Sequence, residues 1–281
     1  MTIKKNIVRF SKMHGLGNDF MLVDNIENNF FFSSQLVKKW SNRYQGVGFD
    51  QLLIIQNKKF SEADFHYCII NSDGTEAEQC GNGARCIAYY LFIIKNKKNK
   101  ICISTKNRYL YLEYLYKNFM KINMGCPIFS PSKIPFLYHK IKFYYDIKID
   151  NINYKISVVS MGNPHCVILV NNINDNLIQK IGYQVATHPL FPEGVNVGFM
   201  QIISKNKILL RVYERGVGET KSCGTGACAA AVIGIRNNLL CNSVTVFLSG
   251  GQLEIIWKGG LNDNVYMSGE AVHVYDGILK Y

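Results

Sequence analysis

The chain has 281 residues, enough for one large or two medium domains around a substantial core. At 48% hydrophobic and 19% charged residues it reads as an ordinary folded protein, which excludes a disordered chain. The formal net charge of +12 does not point to a nucleic-acid partner, because the lysines are scattered among asparagines and isoleucines, the densest run being Lys95-Asn96-Lys97-Lys98-Asn99-Lys100. That charge still favours attraction of an anionic small molecule. No run approaches the ~18 apolar residues of a membrane span, and no charged-then-apolar leader opens the sequence. The nine cysteines are therefore expected as reduced thiols rather than a disulfide framework. No Cys-x-x-Cys occurs, so no metal site is expected. The reading is a soluble cytoplasmic protein with no membrane partner.

In chain order, strand-like runs rich in β-branched and aromatic residues lie at 51–56, 65–70, 100–105, 109–116, 155–160, 166–170, 207–213 and 244–248. Gly250-Gly251, between 244–248 and 253–257, reads as a hairpin turn. Two helices are expected, at 84–95 and 227–237. Both are apolar on nearly every face until a basic residue and asparagines close them, so both are expected to be buried. A buried helix among strands, present twice, predicts two similar α+β halves. Gly46-Val47-Gly48-Phe49 also finds a loose echo in Gly194-Val195-Asn196-Val197-Gly198-Phe199. A Gly/Pro break at Gly125-Cys126-Pro127 places the boundary between the halves.

Two segments nearly repeat each other. Gln79-Cys80-Gly81-Asn82-Gly83-Ala84-Arg85-Cys86 returns as Ser222-Cys223-Gly224-Thr225-Gly226-Ala227-Cys228, with the leading cysteines 143 positions apart. A thiol at a helix N-terminus meets orphan backbone N–H groups and the positive end of the macrodipole, which favour thiolate. One such cysteine alone is ordinarily a small packing residue. Packing has no need for the same polar, glycine-rich helix start twice. The N–H groups of Gly81, Asn82, Gly224 and Thr225 are suited to bind a carboxylate. If the two helix starts face each other, the proton on the carbon beside that carboxylate lies between two sulfurs. That arrangement suits inversion of a stereocentre, in which a thiolate takes the proton from one face and a thiol delivers one to the other. Neither a pyridoxal lysine nor a metal is then required.

Polar segments surround both cysteines. Asn71-Ser72-Asp73-Gly74-Thr75-Glu76-Ala77-Glu78 leads into the first, and Val212-Tyr213-Glu214-Arg215-Gly216-Val217-Gly218-Glu219-Thr220 into the second. Gly15-Leu16-Gly17-Asn18-Asp19-Phe20, Asp50-Gln51, Met161-Gly162-Asn163-Pro164-His165 and Phe191-Pro192-Glu193-Gly194-Val195-Asn196-Val197 complete the set. In their order and number these motifs closely resemble the diaminopimelate epimerases, from near Lys12 to Val274-Tyr275-Asp276-Gly277.

The resemblance implies a mixed α/β (α+β) fold of two pseudosymmetric domains. Each would be a strongly curved, mostly antiparallel sheet wrapped around a buried apolar helix, with the last strand returning to the first domain. The domains implied are 1–124 plus 270–281, and 125–269. Cys80 and Cys223 match the family's two catalytic bases, and no cofactor is implied. Asn18, Gln51, Asn71, Asn163, Asn196 and Arg215 match residues that hold the distal amino-acid end of the substrate. Backbone around Gly81-Asn82 and Gly224-Thr225 would take the carboxylate at the reacting centre. Glu214 and His165 match polar neighbours that adjust the thiols, Glu214 also counting among the substrate contacts. Tyr275 matches a dimer contact, so a homodimer is expected. The implied reaction interconverts LL- and meso-2,6-diaminoheptanedioate, a small dicarboxylic diamino acid, on the path to lysine and peptidoglycan precursors. Amide side chains, which donate and accept, and one bidentate cation suit such a substrate. Two positions depart from the family: Glu270 stands where relatives often carry proline, and Phe49 fills a usually small position. Both put local loop geometry in question.

Two other readings fit parts of the pattern. A proline racemase-like enzyme of the same fold also carries a cysteine pair, but its compact substrate would not use the asparagine set and Arg215. A thiol-redox or binding protein would use the cysteines differently, and it lacks the usual Cys-x-x-Cys hairpin.

Overall fold

The computed structural model describes residues 7–27, 30–77, 80–106, 108–174 and 176–280. Glu78 and Gln79, which lead into the first cysteine, lie outside the described residues. The chain divides into two compact units, residues 1–122 with 269–281, and residues 123–268.

The first unit opens with strands β1 (Ile7–Gly15) and β2 (Asn18–Asp24), helix α1 (Ser34–Ser41), β3 (Gln51–Asn57) and β4 (Phe65–Asn71). Helix α2 (Gly81–Tyr89), β5 (Lys100–Ser104), β6 (Tyr109–Tyr116) and β7 (Phe119–Asn123) follow. The second holds β8 (Tyr145–Ile149), β9 (Ile152–Ser160), β10 (Pro164–Leu169), α3 (Ile178–Ala186), β11 (Asn196–Ser204), β12 (Lys207–Glu214) and β13 (Gly218–Thr220). It continues through α4 (Gly224–Arg236), β14 (Ser243–Leu248), β15 (Gly251–Ile256) and β16 (Tyr266–Glu270). The last strand, β17 (Val272–Lys280), lies antiparallel along β1, with Ile7 opposite Lys280.

The two units repeat one pairing scheme. From β1 to β6 successive joints are antiparallel, parallel, antiparallel, parallel and antiparallel, in the order β1-β2-β3-β4-β5-β6. From β9 the same alternation runs through β9-β10-β11-β12-β14-β15. The parallel joints need crossovers. Helices α1 and α2 occupy them in the first unit, α3 and α4 in the second. Strand β17 thus does for β1 what β8 does for β9.

In each unit the helix behind a cysteine motif is wrapped by strands. Helix α2 packs on β1, β2, β3, β6 and β17, and α4 on β9, β10, β11, β12, β14 and β15. Residues 81–88 of α2 and 224–235 of α4 are all buried. Alanine and glycine dominate α4, which combines high helix propensity with close strand approach. Both helices start three residues before the expected Ala84 and Ala227, because the cysteines themselves are the N-caps. The first does not stay α-helical to residue 95: it widens into a π turn over Tyr90–Ile94, closed by Lys95 N–H to the Tyr90 carbonyl at 2.9 Å. The second hairpin turn also differs from expectation. Gly251 already pairs with Leu248, so the turn residues are Ser249 and Gly250.

The outer helices cap secondary cores. Val37 and Trp40 of α1 pack with Phe10, Met21, Val23, Leu52, Ile54 and Phe49. Phe49 is 2% exposed and fills this core, a burial worth roughly 2–3 kcal/mol. Ile178 and Val185 of α3 play the matching part in the second unit, against Ile147, Val158, Cys166 and Val197.

Candidate active site

In the first unit the candidate residues gather at one end of the sheet for a topological reason. Strands β2 and β3 are parallel and begin with Asn18 and Gln51; β4 runs against β3 and ends with Asn71. Helix α2 starts from the chain that leaves this same end. Cys80, in extended conformation (φ −143°, ψ 110°), caps it, its Sγ accepting from the Gly83 N–H at 3.3 Å. The Cys80 thiol donates to Asn18 Oδ1 at 3.5 Å, and Asn82 Nδ2 donates to the same oxygen at 3.3 Å. Gln51 and Asn71 form a second pair, Gln51 Nε2 donating to Asn71 Oδ1 at 2.8 Å. Gln51 Oε1 is buried without a hydrogen-bond partner among the described residues. Such an acceptor is expensive unless a ligand completes it. Gly81 is the first helical residue, so its N–H belongs to the orphan donors of the first turn.

The second unit repeats the construction. His165 near the start of β10, Asn196 at the start of β11 and Glu214 at the end of β12 share one sheet end, with His165 directly opposite Asn196. Cys223 (φ −121°, ψ 109°) caps α4, its Sγ accepting from the Gly226 N–H at 3.4 Å and lying 3.5 Å from Thr225 Oγ1. Asn196, 5% exposed, donates through Nδ2 to the Pro164 carbonyl and accepts the Arg215 N–H on Oδ1, at 3.0 and 3.1 Å. Its amide is therefore used to shape the Arg215 turn. The exposed Arg215 guanidinium donates to the Glu193 carbonyl at 2.7 Å. Gly194, at φ +72°, lets this turn pass, since a Cβ there would stand 2.9 Å from Arg215 Cδ.

Burial dominates the electrostatics here. It pushes the Cys223 thiol well above its ordinary value, and the neighbouring Glu214 charge adds to that against the opposing Thr225 hydroxyl and Gly226 N–H. The thiolate expected from a helix start alone is thus outweighed, and Cys223 rests as a thiol. Burial also raises the Glu214 carboxyl, although hydrogen bonds with Thr220 and Cys223 work the other way. His165 is 1% exposed; burial, with a smaller contribution from the Arg215 charge, lowers its imidazole to about 3. It is neutral at physiological pH. Its Nε2 lies 3.1 Å from Asn163 Oδ1, an acceptor, so Nε2 carries the proton and Nδ1 the lone pair.

Several residues with no assigned sequence role support these sets. Arg85, 0% exposed, donates from Nη2 to Asn82 Oδ1 at 2.9 Å and from Nε to the Glu270 carbonyl at 3.1 Å. Glu270 contributes its backbone carbonyl there, a contact that does not depend on its side chain. Asp50 accepts from Asn18 Nδ2 at 3.0 Å. The signal for Arg85 was present: a lone arginine in the first turns of an otherwise apolar helix must be paired if the helix is buried. Tyr275, expected at a dimer contact, lies on β17 and is 44% exposed. Among the described residues no group of three or more His, Cys, Asp or Glu is arranged to hold a metal ion. Among them, too, no helix is long and apolar enough to cross a membrane.

Gly83 shows how little room the first cap leaves. A Cβ there would stand 2.3 Å from Tyr67 Oη and 3.1 Å from Leu53 Cδ2, both from fully buried side chains. Gly83→Ala is expected to cost about 1–3 kcal/mol of stability, read as a lowered urea midpoint. An unchanged midpoint would show that Tyr67 yields freely.

Comparison with known proteins follows this geometry. A family model described as Diaminopimelate epimerase matches residues 10–129 and 157–274. A curated relative named Diaminopimelate epimerase, from Buchnera aphidicola subsp. Acyrthosiphon pisum (strain 5A), is 49% identical over 277 residues, covering 98% of this chain and 97% of its own. Its counterpart from strain APS matches equally, at 49% over 277 residues. Solved structures share the fold at low identity. A hydroxyproline epimerase from Agrobacterium vitis with bound trans-4-OH-L-proline superposes with TM-score 0.72 at 12% identity, covering 100% of this chain and 94% of its own. A PhzF-family phenazine biosynthesis protein from Bacillus anthracis gives 0.69 at 14%, covering 98% and 99%.

Proposed function

The chain belongs to the diaminopimelate epimerase family, and from that premise we propose that Cys80 and Cys223 invert one stereocentre of 2,6-diaminoheptanedioate as a thiolate/thiol pair. The enzyme is an isomerase of diaminopimelate. One sulfur, as thiolate, removes the α-proton; the other, as thiol, delivers a proton to the opposite face of the same carbon. In the reverse reaction they exchange roles. The observation that carries this reading is the duplicated cap: each cysteine ends an extended stretch, accepts the N–H three residues on, and starts a buried helix.

A carbon beside a carboxylate is a very weak acid, so the developing negative charge must be stabilised. The first-turn N–H groups of Gly81-Asn82 and Gly224-Thr225 are suited to hold that carboxylate and the charge that builds on it. Because Cys223 rests as a thiol, it must lose its proton before acting as base. Glu214, a buried carboxyl hydrogen-bonded to it, is the acceptor we assign, and neutral His165 contributes a lone pair on Nδ1. Asn18, Gln51, Asn71, Asn163, Asn196 and Arg215 would receive the distal amino-acid end. The unpartnered Gln51 Oε1 suits an ammonium donor, and the exposed Arg215 guanidinium a carboxylate.

The meso product would feed lysine and peptidoglycan-precursor synthesis in the cytoplasm, with a homodimer formed through the Tyr275 face. The test is incubation with LL-diaminopimelate in heavy water. Deuterium is expected at the inverted α-carbon of the meso product. Epimerised product without solvent label would end the two-base reading, and binding without epimerisation would return the chain to a non-catalytic role.

A further inference from the structure

The amides of Asn18 and Asn82 lie between two charged groups of opposite hydrogen-bonding character. At one end is the Asp50 carboxylate, which only accepts; at the other is the buried Arg85 guanidinium, which only donates. An amide can be turned either way in an empty setting, but here each is pinned. Asn18 must present Nδ2 to Asp50 Oδ2 (3.0 Å), which leaves Oδ1 for its other neighbours. Asn82 must present Oδ1 to Arg85 Nη2 (2.9 Å), which leaves Nδ2 to donate to Asn18 Oδ1 (3.3 Å). Reversing either amide would set donor against donor at one end, or acceptor against acceptor at the other.

We propose that Asp50 and Arg85 are positioning residues: the polarised chain Asp50–Asn18–Asn82–Arg85 holds Asn18 so that its carbonyl oxygen, not its amino group, faces Cys80 Sγ. The inference rests on the reading of Cys80 as one of the two bases. Its chemical consequence is a choice of protonation state. Oδ1 at 3.5 Å accepts from an S–H and has nothing to offer a thiolate, so Cys80, like Cys223, is favoured as a thiol in the ligand-free protein. A reversed amide would instead donate to the thiolate.

The Asp50 end is itself anchored. Arg43 Nη2 binds Asp50 Oδ1 and Asp19 Oδ1, each at 2.7 Å, and Lys12 pairs with Asp19. Burial opposes ionisation of Asp19, yet hydrogen bonds and charge from Arg43 and Lys12 hold its carboxyl well below the usual range. Lys12 also donates to the Gly48 carbonyl, tying the loop before β3 to the same group. The cluster thus fixes the Asp50 carboxylate as an acceptor, and the orientation of Asn18 follows from it.

The test is the pH dependence of iodoacetamide alkylation in the ligand-free protein, with the Cys80 and Cys223 peptides quantified separately by mass spectrometry. Asp50→Asn replaces the acceptor-only end with an amide that can donate to a turned Asn18, removing the 3.0 Å restraint on its orientation and leaving only the longer 3.3 Å contact from Asn82 to oppose the turn. The Cys80 alkylation midpoint is then expected to fall by about one pH unit, as the exchange of one neutral hydrogen bond implies. Asp50→Glu, which keeps an acceptor-only end, should stay near the unmodified midpoint, and Cys223 should not move in either variant. Asp50→Ala, which removes the acceptor, is a second variant expected to shift Cys80 in the same direction as Asp50→Asn. An unchanged Cys80 midpoint in both Asp50→Asn and Asp50→Ala would overturn the proposal, as would an equal shift at Cys223. Alkylation needs no substrate, so this outcome is separate from whether Cys80 is required for epimerisation.

Discussion

Replacing either Cys80 or Cys223 with alanine is expected to lower diaminopimelate epimerisation by at least about a thousandfold while leaving the fold intact. The magnitude follows from what a positioned acid or base contributes, about 10²–10⁴-fold, applied to a reaction with no alternative proton carrier on that face of the carbon. The fold should survive because the cap each sulfur supplies is replaceable. Each accepts one backbone N–H, and a first-turn N–H can be satisfied by water or substrate. Circular dichroism and a urea titration would check the fold, and polarimetric or coupled turnover the activity. Near-normal turnover in either variant would remove that cysteine from the reaction. A comparable loss of stability would make it a packing residue, as a lone cysteine before a glycine turn ordinarily is. Partial proton chemistry gives a further distinction. A variant keeping one sulfur should still exchange the α-proton of the isomer whose proton faces it, without inverting the centre.

Acidification is expected to destabilise the native chain through His165. Its imidazole is held neutral by burial, with its folded value lowered to about 3 against an ordinary 6.5. Above pH 6.5 the histidine is neutral in both states and has no effect on the pH dependence. Below it, the unfolded chain binds a proton that the native one refuses, so stability falls with falling pH by up to about 1.4 kcal/mol per unit. The decline continues until about pH 3. By pH 4.5 this amounts to about 3 kcal/mol, a large share of the 5–15 kcal/mol typical of a folded protein. The measurement compares urea unfolding at pH 7.5 and 4.5 for the native chain and for His165→Gln, which can keep a hydrogen bond to Asn163. The decline should be smaller by about 3 kcal/mol in the variant. Equal declines would show that His165 is charged without penalty in the fold, and the neutral lone-pair role assigned to it would fall with that result.

The sequence reading and the structure part company at identifiable places. The helix starts are expected at Ala84 and Ala227, where the apolar runs begin, whereas the hydrogen-bonding caps are Cys80 and Cys223. An apolar run reports side chains, and a cap is a backbone event four residues earlier. The residue pattern leaves β1, β2, β8, β11, β13 and β16 unread, and β17 enters only through the resemblance. β1 and β11 mix glycine and polar residues with the apolar ones, and β2 begins and ends on polar residues. β17 has no fully buried position, so no alternation marks it out. A helix start, through its orphan N–H groups and its dipole, is expected to favour thiolate. At Cys223 the surrounding core and the Glu214 charge outweigh it.

By itself the sequence determined the family, the mixed α/β class, the duplicated Cys-Gly-x-Gly-Ala helix starts and the identity of most polar residues around them. These are carried by short stretches in which neighbouring residues suffice. Only the tertiary structure decided which groups face each sulfur and in what state. Asn18 reaches Cys80 from 62 positions away, and the Glu270 carbonyl lies 185 positions from Arg85. Such contacts arise from the parallel crossovers and from the return of β17 to β1, which bring distant strand ends to one edge of a sheet. The orientation of an amide and the protonation of a buried thiol depend on those neighbours through hydrogen bonding and desolvation, and neither is a property of the local sequence.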